Sequence, residues 1–72
     1  MSDEEWKNYA KGLIKAEIVR KNISLIELSK KLEEMGISET PQNISNKINR
    51  GTFEAFFMLQ ILKAIDCKEL RL

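Results

Sequence analysis

Between Pro41 and Thr52 the chain carries Gln42, Asn43, Asn46, Asn49 and Arg50 and not one acidic residue, although 11 Asp and Glu are scattered through the rest of its 72 residues. At about 100° per residue of an α-helix, Ile44 and Ile48 fall on one face and these five side chains project from the other. Lys47 and Ser45 lie on the flanks. Asn and Gln can bond two adjacent groups on the major-groove edge of adenine, and Arg can do the same on guanine. A well-formed pair of this kind discriminates between bases by about 1–3 kcal/mol, and a helix is an element that fits the groove. Lys47 and Arg50 can instead hold phosphates, which sets register without reading sequence. The plainer alternative is that amides merely decorate a short exposed helix. Asn is a poor helix former, however, and three of them within ten residues lower helix stability.

Other chemistry is harder to assemble. The chain has no His and a single Cys, Cys67. The commonest general base is therefore missing, as are a disulfide framework and zinc-ligand spacing. Cys67 reads as a small buried hydrophobe, with a reactive thiol as the alternative. No nucleophile–base pair, metal set or cofactor motif can be composed from what remains, so the expectation is a binding module with neither enzymatic activity nor a small-molecule substrate. The 12 basic and 11 acidic side chains leave a net charge of +1, which excludes a strongly cationic nucleic-acid coat and an acidic tail. No apolar run approaches the roughly 18 residues of a spanning helix, so no membrane is expected as partner. One thiol and no visible signal peptide point to a cytoplasmic setting.

The elements that would position the polar helix are marked by their ends. Ser2 with Glu5, and Ser24 with Glu27, fit the S-x-x-E capping box. The first predicts a helix from just after Ser2 to near Asn22, carrying an apolar stripe of Trp6, Tyr9, Ala10, Leu13, Ile14, Ile18 and Val19, with Met1 and Trp6 placed as a staple. Gly12 interrupts it, and close packing on a neighbouring helix is the expected reason. Glu17 lies near the stripe and is expected to be a partly buried carboxylate paired with Lys21. The second box, with Ile23 and Leu28 at staple positions, predicts a helix over about 25–35. It ends at Gly36 in a left-handed turn, with Ile37 touching Leu32. Thr40 and Pro41 then open the polar helix, about 41–50, which closes at Gly51. A fourth helix is expected to be capped by Thr52 and to run to about Ile65. Its apolar residues, including Phe53, Phe56 and Phe57, cover nearly the whole circumference. Either that helix is simply core, or its surplus face (Met58, Leu62 and Ile65) forms a homodimer interface. Residues after Asp66 read as a closing turn anchored by Leu70 and Leu72. No strand or repeat pattern is present, so the whole chain is expected to be one all-α domain of four short helices plus a C-terminal turn.

A capped second helix, a glycine turn and a polar third helix resemble the λ-repressor-like (Cro/C1-type) helix-turn-helix domains. The likeness rests on Ile23-Ser24, Glu27 to Leu32, Ile48 to Gly51, and Leu59 to Cys67, with Ser29 at the small-residue position where the helices cross. The chain is also similar to a small group of uncharacterised bacterial domains that share its W-K-x-Y-A-K and R-G-T-F segments. It departs from the helix-turn-helix pattern at Leu25, where Gln is common, and by Glu33, Glu34 and Met35 before the turn. The resemblance implies sequence-specific binding of double-stranded DNA by a small bacterial or phage transcriptional regulator. It also implies base reading by Gln42, Asn43, Asn46 and Arg50, with Lys47 and Asn49 left to the backbone. A homodimer would present two such helices about 34 Å apart to a palindrome. Glu33, Glu34 and Glu39 near the turn would oppose phosphates. Lys7, Lys11 and Lys15 recur every fourth residue and Lys30-Lys31 follow, either as solvated faces or as phosphate contacts. The competing expectation is a protein-interaction module on the same scaffold, favoured by the near-neutral charge and the apolar fourth helix.

Overall fold

The computed structural model describes residues 1–72 and contains four helices and no strand: α1 (Asp3–Arg20), α2 (Leu25–Glu34), α3 (Pro41–Arg50) and α4 (Ala55–Ala64). Both capping boxes are formed. The Ser2 hydroxyl accepts from the Glu5 amide at 3.1 Å and the Glu5 carboxylate accepts from the Ser2 amide at 2.8 Å. Ser24 and Glu27 repeat the arrangement at 3.1 and 3.2 Å. Each box satisfies amides that a helix start otherwise leaves without partners.

Three of the four helices end alike. Asn22, Gly36 and Asp66 take positive φ of 54°, 82° and 57° just beyond the caps of α1, α2 and α4. In each case the amide of the next residue turns back to a carbonyl five residues earlier: Ile23 to Ile18, Ile37 to Leu32 and Cys67 to Leu62. This is the Schellman ending, whose closing residue covers the last turn with an apolar contact. Ile23, Ile37 and Cys67 accordingly pack against the core.

The core is ten apolar side chains contributed by all four helices, among them Ile14, Leu28, Leu32, Ile44 and Ile61, all fully buried. Its connectivity is a ring. The α1 backbone runs close to those of α3 and α4, and the α2 backbone likewise, whereas α3 meets α4 through side chains alone, with the Lys47 ammonium over the Phe57 ring. The readout candidate α3 and the apolar α4 therefore occupy opposite corners. The chain after α4 is irregular and returns along α1. The Cys67 thiol lies 3.6 Å from a Glu17 carboxylate oxygen, and the Tyr9 hydroxyl donates to the Leu72 carbonyl at 2.6 Å. No helix is long and apolar enough to cross a membrane.

Several expectations are corrected. Gly12 has nothing within 4 Å of where a Cβ would stand, so no helix packs closely there. The close approach is at Gly51, where a Cβ would meet the Lys7 carbonyl oxygen at 2.6 Å. Glu17 is buried, and its ion pair is with Arg20 at 3.5 Å, while Lys21 donates instead to the Asp66 carbonyl at 3.1 Å. α4 begins at Ala55 with Glu54 as its cap residue and no side-chain cap bond. Thr52 precedes it by too far to serve, because Phe53 first turns in against Phe57, ring centroids 6.1 Å apart. Met1 and Trp6 are both exposed, so they form no buried staple, and Val19 and Leu72 are exposed as well. The homodimer face expected of Met58, Leu62 and Ile65 is for the most part turned into the chain's own core. Leu62 and Ile65 are only 8% and 3% exposed, enclosed by the chain's own core, and Met58 packs against that core. The surplus apolar side chains of α4 are Phe56 and Leu59, 59% and 60% exposed.

Candidate nucleic-acid interface

α3 is held by both ends and by its inner face. The Thr40 backbone is extended, as the residue before Pro41 must be, and its hydroxyl accepts from the Asn43 amide at 3.0 Å. Pro41 fills the first helical position, where no hydrogen bond is lost. At the other end Gly51 adopts φ 70° and lies directly on the α1 backbone at Lys7. In between, Ile44 and Ile48 are buried and lock the rotation of the helix about its axis.

That rotation points Gln42, Asn43, Asn46, Asn49 and Arg50 to solvent, all five of them exposed. Two pairs bridge successive turns. Gln42 donates its amide to the Asn46 side-chain oxygen at 3.0 Å, and Asn49 donates to the Ser45 hydroxyl at 3.3 Å. The first bridge leaves the Gln42 oxygen as a free acceptor and the Asn46 amide as a free donor. An acceptor beside a donor is what an adenine edge complements. The Asn43 and Arg50 side chains have no partner in the chain. Sequence reasoning therefore placed Gln42, Asn43, Asn46, Asn49 and Arg50 on one surface, and the structure brings them together there.

Lys47 is placed differently. Its ammonium is paired with the Glu39 carboxylate and lies 5.0 Å from the centre of the Phe57 ring. The Glu39 side chain is only 8% exposed and that of Lys47 is 40% exposed. Lys47 is thus turned inward to neutralise a carboxylate at the α2–α3 turn rather than held out for a phosphate. The same pair corrects the expectation for Glu39, whose charge is compensated and does not face outward. The turn is further fixed by the Ser29 hydroxyl, which donates to the Glu39 carbonyl at 2.6 Å. Ser29 therefore does more than make room for a helix crossing. Neither link had a signal in the sequence, since residues 8 and 10 apart meet only through the turn's tertiary path.

Charges of both signs flank α3, with Glu54 beside Arg50 at its C-terminal end. Near its N-terminus a cleft of about 490 Å³ is lined by Glu33, Glu39 and Ser38 among others, with Glu33 exposed. Beyond its C-terminal half stand Arg50 and Lys15. Lys15 projects from α1 over a groove that it shares with Ser45, Ile48 and Asn49. Of the α1 lysines, Lys15 thus flanks the polar face, a position that the four-residue spacing alone could not assign. Leu25 and Val19 line the same groove, so its floor is apolar. No group of three or more His, Cys, Asp or Glu is placed to hold a metal ion.

Residues 6–70 match the family described as Domain of unknown function (DUF6471). The match spans most of the chain, and the chain belongs to that family. No curated protein and no solved structure matches it.

Proposed function

We propose that this chain is a duplex-DNA reader of helix-turn-helix type, with α3 as the helix that enters the major groove. The observation that carries the reading is the outer face of α3, with five exposed amide and guanidinium groups, no acid, and a backbone held by Thr40, Gly51, Ile44 and Ile48. In this reading Gln42, Asn43 and Asn46 read base edges. Arg50 reads guanine or holds a phosphate, and Asn49 and Lys15 contact the backbone from the C-terminal side. Lys47 acts only through the turn it stabilises. A small bacterial or phage regulator is the setting that its resemblance to λ-repressor-like domains implies, and occupancy of a site would be its effect.

Fluorescence anisotropy of a duplex pool, including sequence flanking the chain's own gene, titrated at two salt concentrations, tests this. The expected result is binding that weakens steeply with salt and enriches one sequence, because phosphate neutralisation releases counterions. Asn46→Ala is expected to lose about 1–3 kcal/mol at the enriched site and little elsewhere. Equal losses on enriched and scrambled DNA would overturn the base-reading assignment.

A second reading is favoured by Met35, Phe56 and Leu59, large apolar side chains left exposed on α2 and α4. It takes the domain as a protein-interaction module. Its signature is binding to a protein partner that barely responds to salt, with no binding to DNA even at low salt.

A further inference from the structure

The apolar side chains that the core leaves uncovered include two sets of opposite character. One is the start of α1. Trp6 is 55% exposed, its ring 6.0 Å from that of Tyr9, and it follows Asp3 and Glu4, neither of which forms an ion pair. The other is a groove of about 540 Å³ over the outer side of α4, with Met35, Leu59, Leu62 and Leu70 as its apolar wall. Lys63 and Lys68 line the same groove, and they too lack an ion pair. An acidic aromatic projection and a basic apolar hollow thus sit on one molecule.

They are also neighbours. Leu70 lines the groove, and the Leu72 carbonyl accepts from the Tyr9 hydroxyl. Two residues of extended chain reach at most about 7 Å, so the Leu70 end of the hollow lies on the side of the molecule where Tyr9 and Trp6 stand. A surface that carries a projection beside its own complement can close on itself under a two-fold axis. Each copy then fills the other, and no half-site is left open.

We propose that a second copy of this chain is the occupant. The Asp3–Trp6 turn of each protomer seats in the Met35–Leu59–Leu70 groove of its partner, with Asp3 and Glu4 facing Lys63 and Lys68. Trp6 is the anchor, since a Trp entering a desolvated hollow contributes disproportionately to an interface. None of the residues assigned to this interface belongs to the exposed face of α3.

The test is sedimentation equilibrium of the full chain without DNA, from about 1 µM to about 1 mM, the range in which an interface of this modest size should dissociate. Its outcome is therefore separate from that of the DNA reading. A monomer–dimer equilibrium is expected. Trp6→Ala and Leu59→Lys, both at exposed positions and checked for helicity by circular dichroism, are each expected to weaken it about tenfold or more. Glu4→Lys and Lys63→Glu are each expected to weaken it, and mixing the two variants is expected to restore both sites, one with the native and one with the reversed charge pair, in a heterodimer tighter than either variant alone. A monomer throughout the range, a dimer indifferent to Trp6→Ala or to Leu59→Lys, or a mixture no tighter than the single variants would overturn the proposal.

Discussion

α3 and α4 are both ten-residue helices that bury part of their surface in the same core, yet what they leave outside is opposite. α3 buries only Ile44 and Ile48, and the face it presents to solvent is polar. α4 commits Phe57, Ile61 and Leu62 to the interior and still exposes Phe56 and Leu59. The lesson is that burial alone does not separate a structural helix from a working one. The residue types remaining after the core is satisfied do. Amides and a guanidinium without acids suit a polar, patterned partner such as a base edge. Bare Phe and Leu suit an apolar partner.

The largest expected effect breaks the frame that holds α3 in place. Gly51→Ala puts a methyl against the Lys7 carbonyl at a left-handed φ and should cost about 2–4 kcal/mol in urea unfolding, either separating α1 from α3 or unwinding the end of α3. Next come the two cations of α3, which the structure assigns unlike roles. Lys47→Ala leaves Glu39 poorly solvated and, with Lys47 partly exposed, should cost about 1–2 kcal/mol of stability. It should leave the salt dependence of any DNA binding unchanged. Arg50→Ala should do the reverse, keeping stability within about 0.5 kcal/mol while removing a phosphate or base contact. If the two substitutions affect stability and DNA binding alike, the distinction between an inward and an outward cation is lost. A smaller effect has the opposite sign. Gly12→Ala, on the open side of α1, should stabilise by about 0.5–1 kcal/mol, because nothing obstructs the added methyl.

The smallest effect concerns the two capping boxes, which both lie outside the α3–α4 pair. Hydrogen bonds from the Ser2 and Ser24 amides, then from their hydroxyls, hold Glu5 and Glu27 below the ordinary value of 4.5. The folded state binds these protons more weakly than the unfolded chain. The contribution is therefore fully present above pH 4.5 and is lost as the pH falls through the lower folded values. Urea midpoints should decline slightly on acidification below that range. Glu5→Gln with Glu27→Gln should flatten this decline without altering α3 or α4.

Legibility in the sequence followed locality. The starts of α1, α2 and α3, and the turn at Gly36, are written in residues that touch within one turn of helix: Ser with Glu three on, Thr before Pro, Gly after the last apolar residue. The polar face of α3 is legible for the same reason, since two isoleucines four apart leave only one orientation. α4 was not. Apolar side chains all round its axis give no phase, so neither its start nor its outward face could be read. The exposed apolar side chains of α4 are Phe56 and Leu59 rather than Leu62 and Ile65. The closely packed glycine was sought at Gly12 and is at Gly51, because close approach depends on which helix arrives alongside. Glu39 with Lys47, and Glu17 with Cys67, are likewise products of the assembled fold, whereas the Glu17–Arg20 pair lies within α1.

The ring of contacts also governs how the molecule can form. The α1 backbone finds its close neighbours only once α3 and α4 have been made, and the α4 backbone packs on α1 and α2 rather than on the helix just before it. Among the pairs whose backbones come together, only α2 and α3 are consecutive in the chain. Short helices are marginal in water without such partners. A peptide cut after α2 should therefore show little structure, and folding should proceed through one barrier that waits for the distant segments to meet. The polar helix cannot be presented by a partly assembled chain. Its display is an all-or-none property of the complete ring, so a lesion anywhere in that ring should reduce the number of competent molecules rather than the quality of each.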